Sequence, residues 1–228
     1  EKMRNLELIP SPYMSGRMDE FFDGKLLPII QTNRGCPFSC TFCAEGIRFF
    51  TKVGRFPREK VHAEIRYIGE RMAANRKNGG RNDLFIADSN FGMYKEDIDT
   101  CNALSDTIDE FSWPEYINVA TGKNSKERVL EASRIVKGAM RLSGSVQSLD
   151  PDVLENIKRK NISAEGLMEL GLGAADAGAN SYSEIILALP GDSLEAHYKT
   201  IQTIMDGGFN NLYLFQLMIL QGTELATS

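Results

Sequence analysis

Apolar runs typical of buried strands alternate with amphipathic stretches along most of the chain. The apolar runs predict six strands, at residues 28–33, 83–88, 116–120, 140–147, 180–187 and 212–220. The stretches between them predict helices at 58–76, 95–111, 126–136, 151–158, 163–177 and 194–205. Strands that are apolar throughout and separated by helices are typical of a parallel sheet covered on both faces.

The repeat over residues 28–228 is about 33 residues long, the size of one strand–helix unit. This predicts an α/β fold of (β/α)6 type, either an open barrel or a doubly wound sheet. A complete eight-stranded barrel takes about 250 residues, so a barrel here would be partial. Residues 1–27 are extended, broken by Pro10 and Pro12, and do not join the repeat. We expect them to be a lead-in from an upstream domain, and residues 28–228 to form one core domain.

Composition narrows the class of protein. Of the 228 residues, 42% are hydrophobic and 25% are charged, as in an ordinary globular chain. No apolar run approaches the ~20 residues of a membrane span, and the net charge of −5 gives no electrostatic support for nucleic-acid binding. We expect no signal peptide, and the 4 cysteines are too few for a disulfide scaffold. We therefore expect a cytoplasmic protein without a membrane partner.

Three cysteines, Cys36, Cys40 and Cys43, follow the first predicted strand at its carboxyl end. Barrels and open α/β sheets carry their sites at this end. Three thiolates on one loop can hold zinc or an iron–sulfur cluster. A structural zinc site needs a fourth protein ligand, for which the sequence gives no signal, whereas a [4Fe–4S] cluster with three cysteines keeps one iron open. The spacing favours the cluster over zinc, and over cysteines that only pack.

The spacing Cys-x3-Cys-x2-Cys, with Phe42 before the last cysteine, resembles the radical S-adenosylmethionine (SAM) superfamily. Segments 10–13, 18–22, 33–38 and 222–225 are similar to the branch that carries a cobalamin-binding domain before the radical SAM core. The resemblance implies a partial (β/α)6 TIM-type barrel of parallel strands. It implies a [4Fe–4S] cluster on the three cysteines, with the amino and carboxylate groups of SAM on the fourth iron.

The resemblance also implies roles for residues in SAM binding. Phe42 is expected near the adenine, Gln147 at the ribose, and Arg159 at the methionine carboxylate. Residues at three strand ends complete the set: Asp88, Ser89 and Asn90 for the methionine amino group, Leu187 for an apolar wall at the adenine, and Gln216 and Leu220 for adenine contacts from the last strand. Other interpretations compete: Phe42 packing the loop, a turn at residues 88–90, and a solvated charged run at 158–160.

The resemblance implies reductive cleavage of SAM to a 5′-deoxyadenosyl radical that abstracts hydrogen from a small-molecule substrate. We expect a cobalamin-dependent methyltransferase or a related enzyme, with cobalamin in a domain absent from this chain and flavodoxin or ferredoxin as electron donor. Two alternatives remain: a corrinoid-independent, methylthiotransferase-like radical SAM enzyme, and a non-enzymatic cluster- or metal-binding module.

Overall fold

The computed structural model describes residues 3, 5–76 and 79–227. Its strands are β1 (Ile29–Ile30), β2 (Asn33–Arg34), β3 (Gly54–Arg55), β4 (Asp83–Phe91), β5 (Tyr116–Thr121), β6 (Leu142–Ser143), β7 (Ser181–Leu187) and β8 (Asn211–Gln216). Its α-helices are α1 (Arg58–Arg76), α2 (Asp97–Phe111), α3 (Lys126–Ile135), α4 (Pro151–Asn156), α5 (Ala164–Asp176) and α6 (Leu194–Asp206). Short 3-10 helices lie at Leu6–Leu8, Asp19–Phe21, Ala44–Gly46 and Glu224–Ala226.

The long strands are parallel and follow one another in chain order. β1, β4 and β5 form one set, and β6, β7 and β8 form another. A parallel bridge between Ile117 and Met140 joins the two sets. A doubly wound sheet would reverse its strand order at a switch point, whereas this order never reverses. The six parallel strands therefore form the wall of a partial (β/α)6 barrel.

Helices pack against the outside of this wall: α1 contacts α2, α2 contacts α3, α3 contacts α5, and α5 contacts α6. The largest core lies between α1, α2, α3 and the first strands, and its fully buried side chains include Ile65, Ile68, Leu84, Leu104 and Trp113. Burying one such side chain contributes roughly 1.5–3 kcal/mol. Among the described residues, no helix has the length and apolar character needed to cross a membrane.

The predicted first strand, 28–33, is divided in the structure. β1 pairs with β4, whereas β2 turns away and pairs antiparallel with β3. The cysteines lie in the loop that this small hairpin closes. Neither two-residue strand has a periodic pattern, so the sequence does not reveal the hairpin.

Two other predicted strands are longer than the observed ones. Of the predicted strand 140–147, only β6 is a strand, with single parallel bridges at Met140 and Gln147. The predicted strand 212–220 ends at Gln216, because the apolar residues that follow have no neighbouring strand and are exposed. Conversely, β4 continues to Phe91 and includes the predicted turn at 88–90.

The lead-in was predicted to be extended, but in the described residues it contains 3-10 helices at Leu6–Leu8 and Asp19–Phe21, and it packs onto the barrel. The Tyr13 hydroxyl donates a hydrogen bond to the Ile29 carbonyl (2.7 Å) and accepts one from the Ile29 N–H (3.1 Å). The Tyr13 ring belongs to the main core. Residues around Tyr13 thus cover the free edge of β1, and the predicted domain boundary after residue 27 stays a prediction.

Candidate cofactor site

A cavity of about 450 Å³ lies at the carboxyl ends of the strands, the end at which barrels carry their sites. Its size is that of a small-molecule site. Cys36, Cys40 and Cys43 all line it, together with residues of β4, residues at the end of β5 and just after it, and residues of β6 and β7. The predicted position of the site at the first strand end agrees with this geometry.

Glycines let the cysteine loop fold tightly. Gly35 has a φ of +113°, and a Cβ there would lie 2.5 Å from the Phe50 carbonyl oxygen. A Cβ on Gly46 would lie 2.2 Å from the Cys40 carbonyl oxygen. Backbone bonds from Cys36 N–H to Phe50 O (3.0 Å) and from Cys43 N–H to Cys40 O (3.1 Å) fix the loop. The loop therefore holds the thiols in place through its own backbone.

Each thiol has N–H groups near its sulfur. Asn90 Nδ2 donates to Cys36 Sγ (3.2 Å), and Arg159 Nη1 lies 3.9 Å from Cys40 Sγ. Burial raises the pKa of the Cys43 thiol, and the backbone N–H groups of Glu45 and Gly46 oppose this rise. Such donors stabilise thiolates, the form that binds iron.

The three cysteines fit an iron–sulfur cluster by donor chemistry. All three thiols are free of disulfide bonds, and thiolates are the ligands that such clusters use. In the part of the chain that the structure describes, no three His, Cys, Asp or Glu side chains are arranged around one metal ion. A [4Fe–4S] cluster binds each cysteine through a different iron and so does not require that arrangement.

Asp88 joins the end of β4 to the start of the cysteine loop. It is 3% exposed, and its Oδ1 accepts hydrogen bonds from the N–H groups of Thr32 (2.8 Å) and Asn33 (3.3 Å). Its Oδ2 accepts from Asn33 Nδ2 (2.6 Å) and from the Thr32 hydroxyl. Burial raises the pKa of Asp88, and these donors lower it. Asp88 lines the cavity, but both of its carboxylate oxygens already have protein partners.

The other two residues predicted for the methionine amino group also line the cavity and also have partners. The Ser89 hydroxyl donates to the Glu45 carboxylate, and Asn90 donates to Cys36. Glu45 is a cavity residue that the sequence reasoning missed. The available signal was a carboxylate two residues after the last cysteine.

Gln147 lies in the cavity wall with a left-handed backbone (φ 66°). Its N–H donates to the Glu184 carbonyl (2.8 Å), and its carbonyl accepts from the Ile186 N–H (3.0 Å). Its side-chain Oε1 is buried without a hydrogen-bond partner in the described residues. A buried acceptor without a partner costs stability unless a ligand supplies a donor.

Arg159 lines the cavity, but protein groups hold its guanidinium. Nε donates to Asn161 Oδ1 (2.8 Å), Nη2 donates to the Ser145 carbonyl, and Nη1 points at Cys40. The predicted solvated charged run at 158–160 therefore does not describe Arg159.

Two further charged residues of the cavity were missed. Lys123 follows β5 and places Nζ 3.8 Å from the centre of the Phe38 ring. Burial lowers the pKa of Lys123, as does the positive charge of Arg159, while the thiols raise it. Glu184, inside β7, accepts a hydrogen bond from Ser145 Oγ (2.6 Å). Lys123 lies beyond the predicted end of its strand, and Glu184 lies within an apolar run, so neither drew attention.

The remaining predicted residues divide into two groups. Phe42 lines the cavity and also packs against Val153 and Ile157, so both interpretations of its role are compatible with its position. Leu187, Gln216 and Leu220 are exposed and do not line the cavity. They lie on or after the outer strands β7 and β8, and their adenine contacts stay a prediction.

The sequence of this chain is similar to proteins of a known family. The family model of the radical SAM superfamily matches residues 30–204. The 2-(S-pantetheinyl)-carbapenam-3-carboxylate methyltransferase of Streptantibioticus cattleyicolor is 33% identical over 96% of this chain, and the cobalamin-dependent radical SAM methyltransferase TokK of Streptomyces tokunonensis is 32% identical over 96%. The chain spans 32% of the length of each. The predicted resemblance to the cobalamin-dependent branch is thereby confirmed.

Solved structures share the fold at low sequence identity. The radical SAM methyltransferase TsrM of Kitasatospora setae, a structure with cobalamin and a [4Fe–4S] cluster, has a TM-score of 0.71 and 15% identity; the match covers 90% of this chain and 37% of TsrM. Coproporphyrinogen III oxidase of Escherichia coli has a TM-score of 0.65 and 17% identity, covering 96% of this chain and 50% of that one. The chain belongs to the radical SAM superfamily, whose members are enzymes that use a [4Fe–4S] cluster and SAM.

Proposed function

We propose that this chain is the cluster- and SAM-binding core of a cobalamin-dependent radical SAM methyltransferase. The observation that carries the proposal is the meeting of three free cysteine thiols in one cavity of about 450 Å³. Lys123 also lines this cavity, as does Gln147, whose buried side-chain oxygen has no hydrogen-bond partner among the described residues. When bound and reduced, the cluster supplies the electron that cleaves SAM to methionine and a 5′-deoxyadenosyl radical.

The cavity residues divide the binding of SAM between them. Gln147 Oε1 accepts a hydrogen bond from a ribose hydroxyl, which supplies the missing partner of this buried oxygen. Phe42 contacts the adenine. Glu45, held by Ser89, accepts a hydrogen bond from the methionine amino group, because a carboxylate is a stronger hydrogen-bond acceptor than a hydroxyl.

The methionine carboxylate needs a cation, and the cavity offers two from different elements. Arg159 directs its donors to Asn161, Ser145 and Cys40, so it stabilises the thiolate side of the cavity. Lys123 has no carboxylate partner among the described residues and contacts the Phe38 ring. We assign the carboxylate contact to Lys123, with Arg159 adding positive charge behind it.

Several parts of the proposal concern the longer protein. The relatives named as methyltransferases are about three times as long as the aligned segment, which supports a corrinoid site outside residues 1–228. Radical SAM enzymes need a reductant, and a cytoplasmic flavodoxin or ferredoxin would fill that role. The substrate is a small molecule whose specificity belongs to loops and domains outside the cofactor site.

The first test is anaerobic reconstitution with iron and sulfide, followed by SAM and dithionite and chromatographic detection of 5′-deoxyadenosine. Cys40→Ala is expected to lose most of the iron and all of the 5′-deoxyadenosine. Cys101→Ala is the matched control, because Cys101 is buried in α2 away from the cavity and should keep both. Zinc without labile sulfide in the wild-type protein would contradict the proposal.

A second test concerns cobalamin and methyl transfer. The intact longer protein, reconstituted with methylcobalamin, is expected to bind corrinoid in about one equivalent. SAM cleavage without any corrinoid binding would leave the radical SAM core in place and point to a corrinoid-independent enzyme.

A further inference from the structure

We infer that Asn90 sets the reduction potential of the cluster by donating an N–H···S hydrogen bond to Cys36. The inference rests on the proposed function, since it requires the cluster on the three cysteines. It assigns Asn90 a positioning and tuning role different from the contact with the methionine amino group that the sequence predicts.

The structure fixes Asn90 in place. It lies near the end of β4, is 6% exposed, and its carbonyl accepts a hydrogen bond from the Met93 N–H (3.3 Å). Two residues earlier on the same strand, Asp88 is bonded to Thr32 and Asn33, at the start of the segment that leads into Cys36. Asn90 and Cys36 are therefore held at a defined separation by the same two segments of backbone.

The Asn90 amide is directed at the sulfur. Nδ2 lies 3.2 Å from Cys36 Sγ, whereas the other side-chain donor near a cysteine, Arg159 Nη1, lies 3.9 Å from Cys40 Sγ. Among the described residues, the Asn90 contact is therefore the shorter of the two. This contact uses one N–H of the Asn90 amide, so Asn90 acts directly on the cysteine sulfur, whatever its second N–H and its Oδ1 contact.

The chemical consequence follows from charge. Reduction adds one electron to the cluster and increases the negative charge on its sulfur ligands. A donor to a ligand sulfur stabilises the reduced state more than the oxidised state, so it raises the reduction potential. Removal of the amide should make the cluster harder to reduce while leaving the three iron ligands intact.

The test uses Asn90→Leu, which keeps a similar size and removes the donor. Wild-type and variant proteins are reconstituted, their iron and sulfide are quantified, and the midpoint potential is measured without SAM by redox titration followed by electron paramagnetic resonance. Ser89→Ala is the matched control, because this neighbour on β4 bonds Glu45 and no cysteine. We expect a more negative potential in Asn90→Leu and an unchanged potential in Ser89→Ala. Equilibrium dialysis of SAM reports separately on any SAM contact of Asn90.

Other outcomes overturn the inference. An unchanged potential in a fully loaded Asn90→Leu protein removes the tuning role, and a loss of SAM affinity at unchanged potential assigns Asn90 to SAM. If Asn90→Leu does not hold a cluster, Asn90→Ser, which keeps a hydroxyl donor, and Asn90→Ala are compared. Loss of iron from all three, with unchanged thermal unfolding, makes Asn90 an assembly residue. A wild-type protein that holds no cluster would overturn the proposed function itself, a result distinct from all of these.

Discussion

The two halves of the barrel wall differ in how they are packed. The first half, with β1, β4, β5 and helices α1 to α3, surrounds the largest core. The second half, with β6 to β8 and helices α4 to α6, contributes Leu142, Leu170 and Ala174 to that core and otherwise has two small core clusters, and β8 is exposed on both faces. Leu214 and Phe215 on β8 are 59% and 49% exposed. The cysteine loop is attached to both halves, to the first through Asp88 and to the second through the bond from the Thr41 N–H to the Ile157 carbonyl (3.1 Å).

This difference accounts for the residues of the outer strands, whereas Gln147 and Arg159 of the second half also line the cavity. Asp88 links the cysteine loop to β4, the central strand of the first set, so the thiols take their positions from a rigid element. Leu187, Gln216 and Leu220 belong to the outer part of the second half and lie away from the cavity. A cofactor site needs a rigid support, and the first half supplies it.

The largest expected effect is a loss of stability on substitution in the first half. It tests whether the core of that half contributes most of the free energy of unfolding. Ile68→Ala empties a fully buried position on α1 and should lower the free energy of unfolding by about 2–5 kcal/mol. Leu214→Ala, on the exposed strand β8, should change it by less than about 0.5 kcal/mol. Urea unfolding followed by circular dichroism measures both, and equal effects would show that the halves are not different in this respect.

The next largest expected effect is a pH dependence of stability, caused by a buried carboxylate in the first half. The Asp97 side chain is 1% exposed, and burial raises its pKa to about 6, with the nearby Asp88 also raising it and the Tyr94 N–H and Arg55 opposing. The folded protein therefore binds a proton at a higher pH than the unfolded chain does. Stability should fall as the pH rises through about 4 to 6, by roughly 2–3 kcal/mol.

Asp97→Asn should remove that part of the pH dependence. The measurement is the free energy of unfolding of wild type and variant at several pH values between 4 and 7, compared as a difference so that other carboxylates cancel. Glu195→Gln on α6 is the control, since Glu195 is exposed in the second half. A difference that does not vary with pH would contradict the expectation.

Substitution at the junction of the two halves, where β5 meets β6, should lower the free energy of unfolding by a smaller amount. Thr121 on β5 and Ser143 on β6 are joined through their side chains: the Ser143 N–H donates to Thr121 Oγ1 (2.8 Å), and the Thr121 N–H donates to Ser143 Oγ (3.1 Å). Thr121→Val leaves a buried N–H without its acceptor and should cost about 1–3 kcal/mol. Thr203→Val on α6 is the control. An equal loss of unfolding free energy in both variants would show that the Thr121–Ser143 pair stabilises the barrel no more than a hydrogen bond on a helix does.

The sequence predicts the fold well because its signals are local. Continuous apolar runs and amphipathic stretches identify all six parallel strands and six helices. Three cysteines within eight consecutive positions identify the loop that holds the site. The partners of polar side chains are not local. Asp88 bonds Thr32, which is 56 residues away in sequence, and that pairing depends on the register of Ile30 beside Ile86. The roles of residues 88–90 and of Lys123 therefore required the structure.

The smallest expected effect concerns the two cations of the cavity, one from each half. Lys123, after β5, has no carboxylate partner among the described residues, whereas Arg159, after α4, is held by Asn161 and Ser145. If Lys123 contacts the methionine carboxylate, Lys123→Met should weaken SAM binding about tenfold, equivalent to roughly 1.4 kcal/mol. It should leave the binding of decarboxylated SAM nearly unchanged. Equilibrium dialysis of both ligands with the reconstituted protein measures the difference.

The matched control for this comparison is Lys126→Met. Lys126 also lines the cavity, but its ammonium is already paired with the Glu169 carboxylate, so its loss should weaken the binding of both ligands equally and little. Equal weakening of SAM and decarboxylated SAM by Lys123→Met would mean that Lys123 acts on the cluster or on the cavity shape. The carboxylate would then be the ligand of Arg159, with the second half supplying the cation. The selective loss expected here would instead make the first half the source of both the thiolates and the carboxylate contact, since all of them follow β1 and β5.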